Sequence, residues 1–229
     1  IVSCLFTAFL FAGCHSDNEI IFYCDEDNDL YQLLKSARDD CQNYSDIEEA
    51  LRQCEPNGVL LILAKDYPSK KTVLPESFYD IVKEKNLKVY LEFPDGLISE
   101  HTGEIRSTRK ERLVVSSDFF GIKLHPMTIL DAGPFAYVDV SDRPSHLRGG
   151  NVAGFDKAVY GFKGIVDFPV LFEEKQVLVS ATKLSDFNKS RYSPIHTWKK
   201  AISGILSFLD VDLDSTKLKW DPIVKPAYT

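Results

Sequence analysis

Four residues carry the side chains best suited to chemistry at the ends of regular elements: Asp25, Asp66, His146 and Arg148. Asp25 opens an acidic run, Asp25-Glu26-Asp27-Asn28-Asp29, directly after the short apolar stretch 19–24. Carboxylates are hard oxygen ligands of the kind Mg²⁺ takes. The same residues also suit a helix start, where Asn or Asp caps orphan N–H groups and acid complements the helix dipole. The second reading is preferred, so no metal and no cofactor is expected. His146 and Arg148 precede Gly149-Gly150, and Asp156 follows, which reads as a polar loop able to touch a sugar or a neighbouring domain. His125 and His196 lack the spacing of metal ligands.

A nucleophile is harder to find. No G-x-C-x-G or G-x-S-x-G occurs, so the sharp strand-to-helix turn of an activated Cys or Ser is not written in the chain. Cys24 is followed by Asp25 and Glu26, whose charge raises a thiol's pKa and suppresses the thiolate. Acids are plentiful, but nothing singles out the pair that glycoside hydrolysis uses. No catalytic residue is assigned.

The elements that must position these groups are clearest between Gly58 and Gly96. Residues 59–64 form an unbroken apolar run and 87–93 a second run carried by Val89, Tyr90, Leu91 and Phe93, both too short for helices and suited to strands buried on both faces of a parallel sheet. Between them Pro75 fits a first helical turn, Phe78, Ile81 and Val82 fall at helical spacing, and Lys83 and Lys85 suit the far end. This predicts a right-handed β-α-β unit. Residues 19–24 predict an earlier strand, and 30–40 and 45–54 predict helices. Ligands of open sheets sit beyond the carboxyl ends of the strands, so Lys65, Asp66 and Tyr67 mark the edge to watch. Residues 97–112 read as a polar excursion. Short strands are expected at 112–117, 127–130, 135–140 and 157–162, with breaks at Pro144 and Gly149-Gly150. Residues 170–174 and 176–182 predict a hairpin turning at Lys175. The last helix is capped by Ser193, begins with Pro194, and carries Ile195, Trp198, Ile202, Ile205, Leu206 and Leu209 on one face.

With 229 residues, 44% hydrophobic and 12% aromatic, the chain can build one substantial α/β core. A net charge of −7 argues against a nucleic-acid surface. The basic run Arg106 to Arg112 reads as a solvated loop. Residues 1–13 are nearly all apolar and end in Phe11-Ala12-Gly13 before Cys14 and a polar run. This resembles a bacterial lipoprotein signal, with Cys14 as the lipidated thiol and the mature domain held on a membrane surface by acyl chains. Cys24, Cys41 and Cys54 then remain, as one disulfide plus a thiol or as three thiols. The missing initiator Met and the aperiodic segment 213–229, read as a linker, imply a fragment of a longer chain.

The strand GVLLILA with KDYP at its end, the strand LKVYLEFP, the hairpin VLFEEKQVLVSATKLSDF and the helix RYSPIHTWKKAISGILSFL together resemble the class I glutamine-amidotransferase-like fold. The closer likeness is to its trehalose-utilisation-like branch, in modules that stand ahead of six-hairpin glycoside hydrolase domains in exported bacterial proteins. The resemblance covers most of residues 19–210. It implies a three-layer α/β domain over 14–212, a mostly parallel sheet flanked by helices, with a strand-rich second half and a C-terminal helix. Where that branch often has a Gly-His pair after the hairpin, this chain has Thr182-Lys183. The expectation is a non-catalytic accessory module of an exported, lipid-anchored carbohydrate-active protein. Its partners would be a downstream catalytic domain and a glycan. The alternative expectation is a hydrolase acting on a sugar derivative through strand-end carboxylates or His.

Overall fold

The computed structural model describes residues 19–188, 195–213 and 216–221. Lipidation at Cys14, the signal 1–13, the Ser193 cap and Pro194 lie outside the described residues. In order the chain forms β1 (Ile20–Tyr23), α1 (Asp29–Ala37), β2 (Cys41–Tyr44), α2 (Ile47–Gln53), β3 (Val59–Ile62), α3 (Phe78–Glu84), β4 (Lys88–Glu92), β5 (Ile105–Ser107) and β6 (Arg112–Val115). A 3-10 turn (Asp118–Lys123), β7 (Ile129–Leu130), β8 (Ala136–Val138), β9 (Leu147–Gly150), β10 (Asp167–Glu174), β11 (Val177–Ser180) and α4 (Ile195–Phe208) follow.

Nine strands make one sheet in the order β2-β1-β3-β4-β11-β10-β9-β6-β7. Pairing is parallel from β2 to β11 and antiparallel from there to β7. The α/β architecture expected from the apolar runs is therefore present, with the strand-rich second half supplying the antiparallel part. β5 and β8 pair apart from it as a small antiparallel ribbon.

The apolar runs are explained by the layering. Side chains of a strand alternate between faces, and both faces here are covered. Ile20, Phe22, Leu61, Tyr90 and Leu178 join a core with α1 and α4, including Leu30, Leu34, Trp198, Ile202 and Ile205. Ile21, Leu60, Ile62, Val89, Leu91 and Val179 join a second core with α2 and α3, including Ala50, Leu51, Phe78 and Val82. The face of α4 that carries Trp198, Ala201, Ile202, Ile205 and Leu206 is buried as its spacing predicts.

Several elements differ from expectation. β2 was not foreseen, because CQNY is a polar, partly exposed edge strand with no apolar signature. α2 is capped by Asp46, whose side chain accepts from Glu49 N, rather than by Ser45. α3 starts at Phe78; Pro75 forms a preceding turn whose carbonyl accepts from Phe78 N. β5 lies inside the stretch read as a polar excursion. Gly149 and Gly150 do not break the chain but sit in β9, where a Cβ on Gly149 would overlap the Phe168 ring of the neighbouring strand. Residues 157–162 form turns instead of a strand. Lys157 makes one isolated bridge to Thr128, and Gly161, at φ 58°, turns the chain away. Within 213–229, Leu218 is buried and Trp220 packs on Phe187, ring centroids 4.7 Å apart.

Candidate functional site

From β1 the chain winds outward to β2 and then back past β1 to β3, on the opposite face. The order reverses between β1 and β3, and in open α/β sheets such a reversal opens a ligand crevice beyond the carboxyl ends of the strands. Asp25 and Asp66 both arrive there, on the loops after β1 and β3. Asp66 is exposed and pairs with Lys70 at 3.0 Å. Lys65 lies 4.0 Å over the Tyr23 ring and donates to Ser45 O.

The centre of this edge is occupied by a side chain that sequence reading passed over. Glu92, the last residue of β4, is completely buried. Its carboxylate accepts from Ser185 N (2.7 Å), Ser185 Oγ (2.8 Å), Tyr90 Oη (2.9 Å) and Ala64 N (3.2 Å). Ser185 Oγ accepts in turn from Asn28 Nδ2 at 2.8 Å. The Oδ1 of Asn28 caps α1, accepting from Leu30 N and Tyr31 N. The acidic run after β1 is thus a helix start, as its composition suggested, and this cap is welded to the end of β4. Burial pushes the Glu92 carboxyl above its ordinary range; hydrogen bonds from Ser185, the Lys183 charge and Tyr90 pull the other way.

Beside it, the Tyr67 hydroxyl accepts from Ala136 N and donates to Ala136 O, both at 2.8 Å, and Thr182 Oγ1 donates to the same carbonyl at 2.6 Å. The loop after β11 therefore bridges β4, α1 and the ribbon strand β8. It separates two clefts. One, of about 570 Å³, is lined by Glu26, Asp29, Gln32, Asn188, Lys219 and Trp220. The other, of about 360 Å³, is lined by Tyr67, Pro68, Ser107, Thr108, Phe135 and Asp186.

Cys24 directly follows β1 at this edge, buried, with Sγ 3.5 Å from Asn43 Oδ1. Burial pushes its thiol up to about 12, so the thiolate needed for attack is scarce at neutral pH. Cys24, Cys41 and Cys54 are all free thiols, which closes the disulfide alternative for these three. Among the described residues no cluster of His, Cys, Asp and Glu is arranged to hold a metal ion.

His146 and Arg148 are not near Asp25 and Asp66. They belong to β9 and the residue just before it, three places along the sheet from β4. They are not a flexible loop. The Arg148 guanidinium is held by Asp142 (2.6 Å), Asp167 and the Arg143 carbonyl (3.1 Å), all internal partners. His146 instead sits between two groups not singled out from sequence. Its Nδ1 is 2.9 Å from Ser117 Oγ, and its Nε2 is 3.0 Å from Glu173 Oε1. Ser117 is 29 residues away and Glu173 is 27 away, so only the pairing of β6 and β10 with β9 joins them. Burial lowers the imidazole's pKa, opposed by Glu173. No helix among the described residues is long and apolar enough to cross a membrane.

Compared with known proteins, the chain matches no protein-family model and no curated sequence.

Proposed function

We propose that this chain is an accessory α/β module of an exported carbohydrate-active protein, packing against and positioning a catalytic domain of the same polypeptide, and that its strand-end crevice does no chemistry. The observation that carries this is Glu92. Where an amidotransferase-like enzyme would present a nucleophile, this sheet edge holds a buried carboxylate whose hydrogen bonds are all spent on Ser185, Tyr90 and Ala64. The nearby thiol is buried and protonated, and Asp66, exposed after β3, is paired with Lys70 on the surface. Such a network ties four strands together, which is what a positioning module needs. The resemblance of the strand and hairpin segments to modules ahead of six-hairpin glycoside hydrolase domains supports the same reading, and a glycan is the ligand class it implies.

The test is an assay of the module on a panel of glycans, alone and with Asp66→Ala. No turnover in either is expected; turnover that Asp66→Ala abolishes would overturn the reading. Lipid attachment at Cys14 belongs to the same proposal. Cys14→Ser in the exported precursor should move the protein from the membrane to the soluble fraction, and unchanged fractionation would remove the anchor.

A further inference from the structure

We infer that Ser117, His146 and Glu173 form a hydrolytic centre of their own, a serine nucleophile with its base and a positioning carboxylate, which cleaves small acyl esters. This goes beyond the accessory role and stands apart from it. The strand-end crevice is at the carboxyl ends of β1, β3 and β4. The three residues lie at the carboxyl ends of β6 and β10, which run antiparallel to β9, and β10 runs antiparallel to β11. They are therefore displaced toward the amino ends of the parallel strands.

The arrangement has the connectivity that acyl transfer requires. The Glu173 carboxylate can only accept, so His146 Nε2 carries the proton and Nδ1 offers its lone pair to the Ser117 hydroxyl. Ser117 Oγ also accepts from Phe119 N at 3.2 Å, which fixes the hydroxyl's direction. The imidazole is stacked on Phe119, centroids 4.1 Å apart and planes 19° apart. Its backbone is clamped on both sides: His146 N donates to Leu171 O at 2.6 Å, and Ser116 N donates to His146 O at 2.9 Å. The 3-10 turn that follows Ser117 is seated on α4 at Gly204, where a Cβ would overlap the Phe120 ring. Nucleophile and base are thus held by separate, rigid supports, and triads are recognised by such geometry and not by sequence order.

In the reaction, Ser117 Oγ attacks the ester carbonyl carbon while its proton passes to His146 Nδ1. The bond to the alcohol oxygen breaks, and the alcohol leaves with that proton. Water then attacks the acyl-serine, gives a proton to Nδ1, and the C–Oγ bond breaks as Oγ recovers it. The sum is ester plus water to acid plus alcohol, with no oxidant or further reactant. Glu173 is about half exposed, at 47%, Ser117 is partly exposed and Asp118 is exposed, so the centre lies at the surface. The Phe119 ring beside the hydroxyl favours a short apolar acyl group. Burial holds the imidazole neutral near pH 7, as a base must be; Glu173 is the charge resolved as acting on it, and Asp118 stands next to the nucleophile on the exposed side.

The experiment treats the whole chain with a fluorophosphonate probe and, separately, with p-nitrophenyl acetate. A single adduct on Ser117 is expected by peptide mass spectrometry, lost in Ser117→Ala and strongly slowed in His146→Asn. Esterase kcat should rise through a limb below the ordinary imidazole value of about 6.5. Because Ser117 also caps the 3-10 turn, Glu173→Gln provides a second route. It should lower kcat about tenfold or more with KM and melting temperature unchanged, since it disturbs the tautomer and not the fold. No adduct, an adduct indifferent to His146→Asn, or a kcat indifferent to Glu173→Gln would overturn the inference. None of these results touches the accessory reading, whose test is turnover of glycans.

Discussion

Ser185 gives both its backbone N–H and its hydroxyl to the carboxylate of Glu92, at 2.7 and 2.8 Å, although 93 residues separate them in the chain. The pair joins the end of β4 to the loop after β11 and, through Asn28, to the start of α1. Replacing Glu92 by Gln puts an amide N–H₂ where one carboxyl oxygen accepts; the Ser185 or Tyr90 hydroxyl can turn, but the backbone N–H of Ser185 or Ala64 can only donate, so a buried donor is left unmatched at a cost of about 1–3 kcal/mol. Urea denaturation near pH 5 should show this loss.

The same carboxyl makes stability depend on pH. Its folded pKa lies above the ordinary value of 4.5, so the folded state holds the proton more tightly than the unfolded chain. The contribution is fully present below that ordinary value and is lost as pH rises through the folded pKa. Wild type should therefore lose stability across this window more steeply than Glu92→Gln, and the gap between them should narrow. Parallel slopes in the two pH series would show that Glu92 does not titrate there.

The buried thiols give a chemical readout. Cys24 is pushed up to about 12, and Cys41 and Cys54 to about 11, each by burial first. Iodoacetamide at mildly alkaline pH should leave these three nearly unmodified in the native protein. In guanidinium and without reductant all three should alkylate, because none is in a disulfide. Mass spectrometry of the peptides decides both points.

Gly204 lies inside α4, where Ala would ordinarily favour the helix by about 1 kcal/mol. Here the added methyl meets the Phe120 ring. Overpacking of that kind costs about 1–3 kcal/mol, so Gly204→Ala should lower the melting temperature, by about 2–4 °C for each net kcal/mol in a domain of this size. A rise in melting temperature would mean that the 3-10 turn yields easily.

Arg148 was singled out as a possible ligand contact, yet its donors are consumed by Asp142, Asp167 and a carbonyl. Arg148→Ala should cost about 1–3 kcal/mol, because Asp167 loses a charged hydrogen-bond partner in a mostly buried setting. Calorimetry should register that loss while glycan binding, measured in parallel, is unchanged.

The architecture was legible because burial on both faces leaves a direct mark: 59–64 had to be apolar throughout, 87–93 at Leu87, Val89, Tyr90, Leu91 and Phe93, and α4 along one stripe. The acidic run after β1 likewise announced a helix start. Elements whose residues face solvent left no such mark, and β2 and β5 were missed for that reason. β9 was missed because its glycines answer to a neighbour, the Phe168 ring, that local sequence does not reveal.

The sequence by itself determined the layered sheet and the absence of a G-x-C-x-G or G-x-S-x-G motif, since both depend on residues close together in the chain. Only the tertiary structure decided that Glu92 is locked against Ser185 and that His146 stands between Ser117 and Glu173. Hydrogen bonds between groups 27 to 93 residues apart are set by strand order and register, and those are properties of the whole sheet, not of any segment of it.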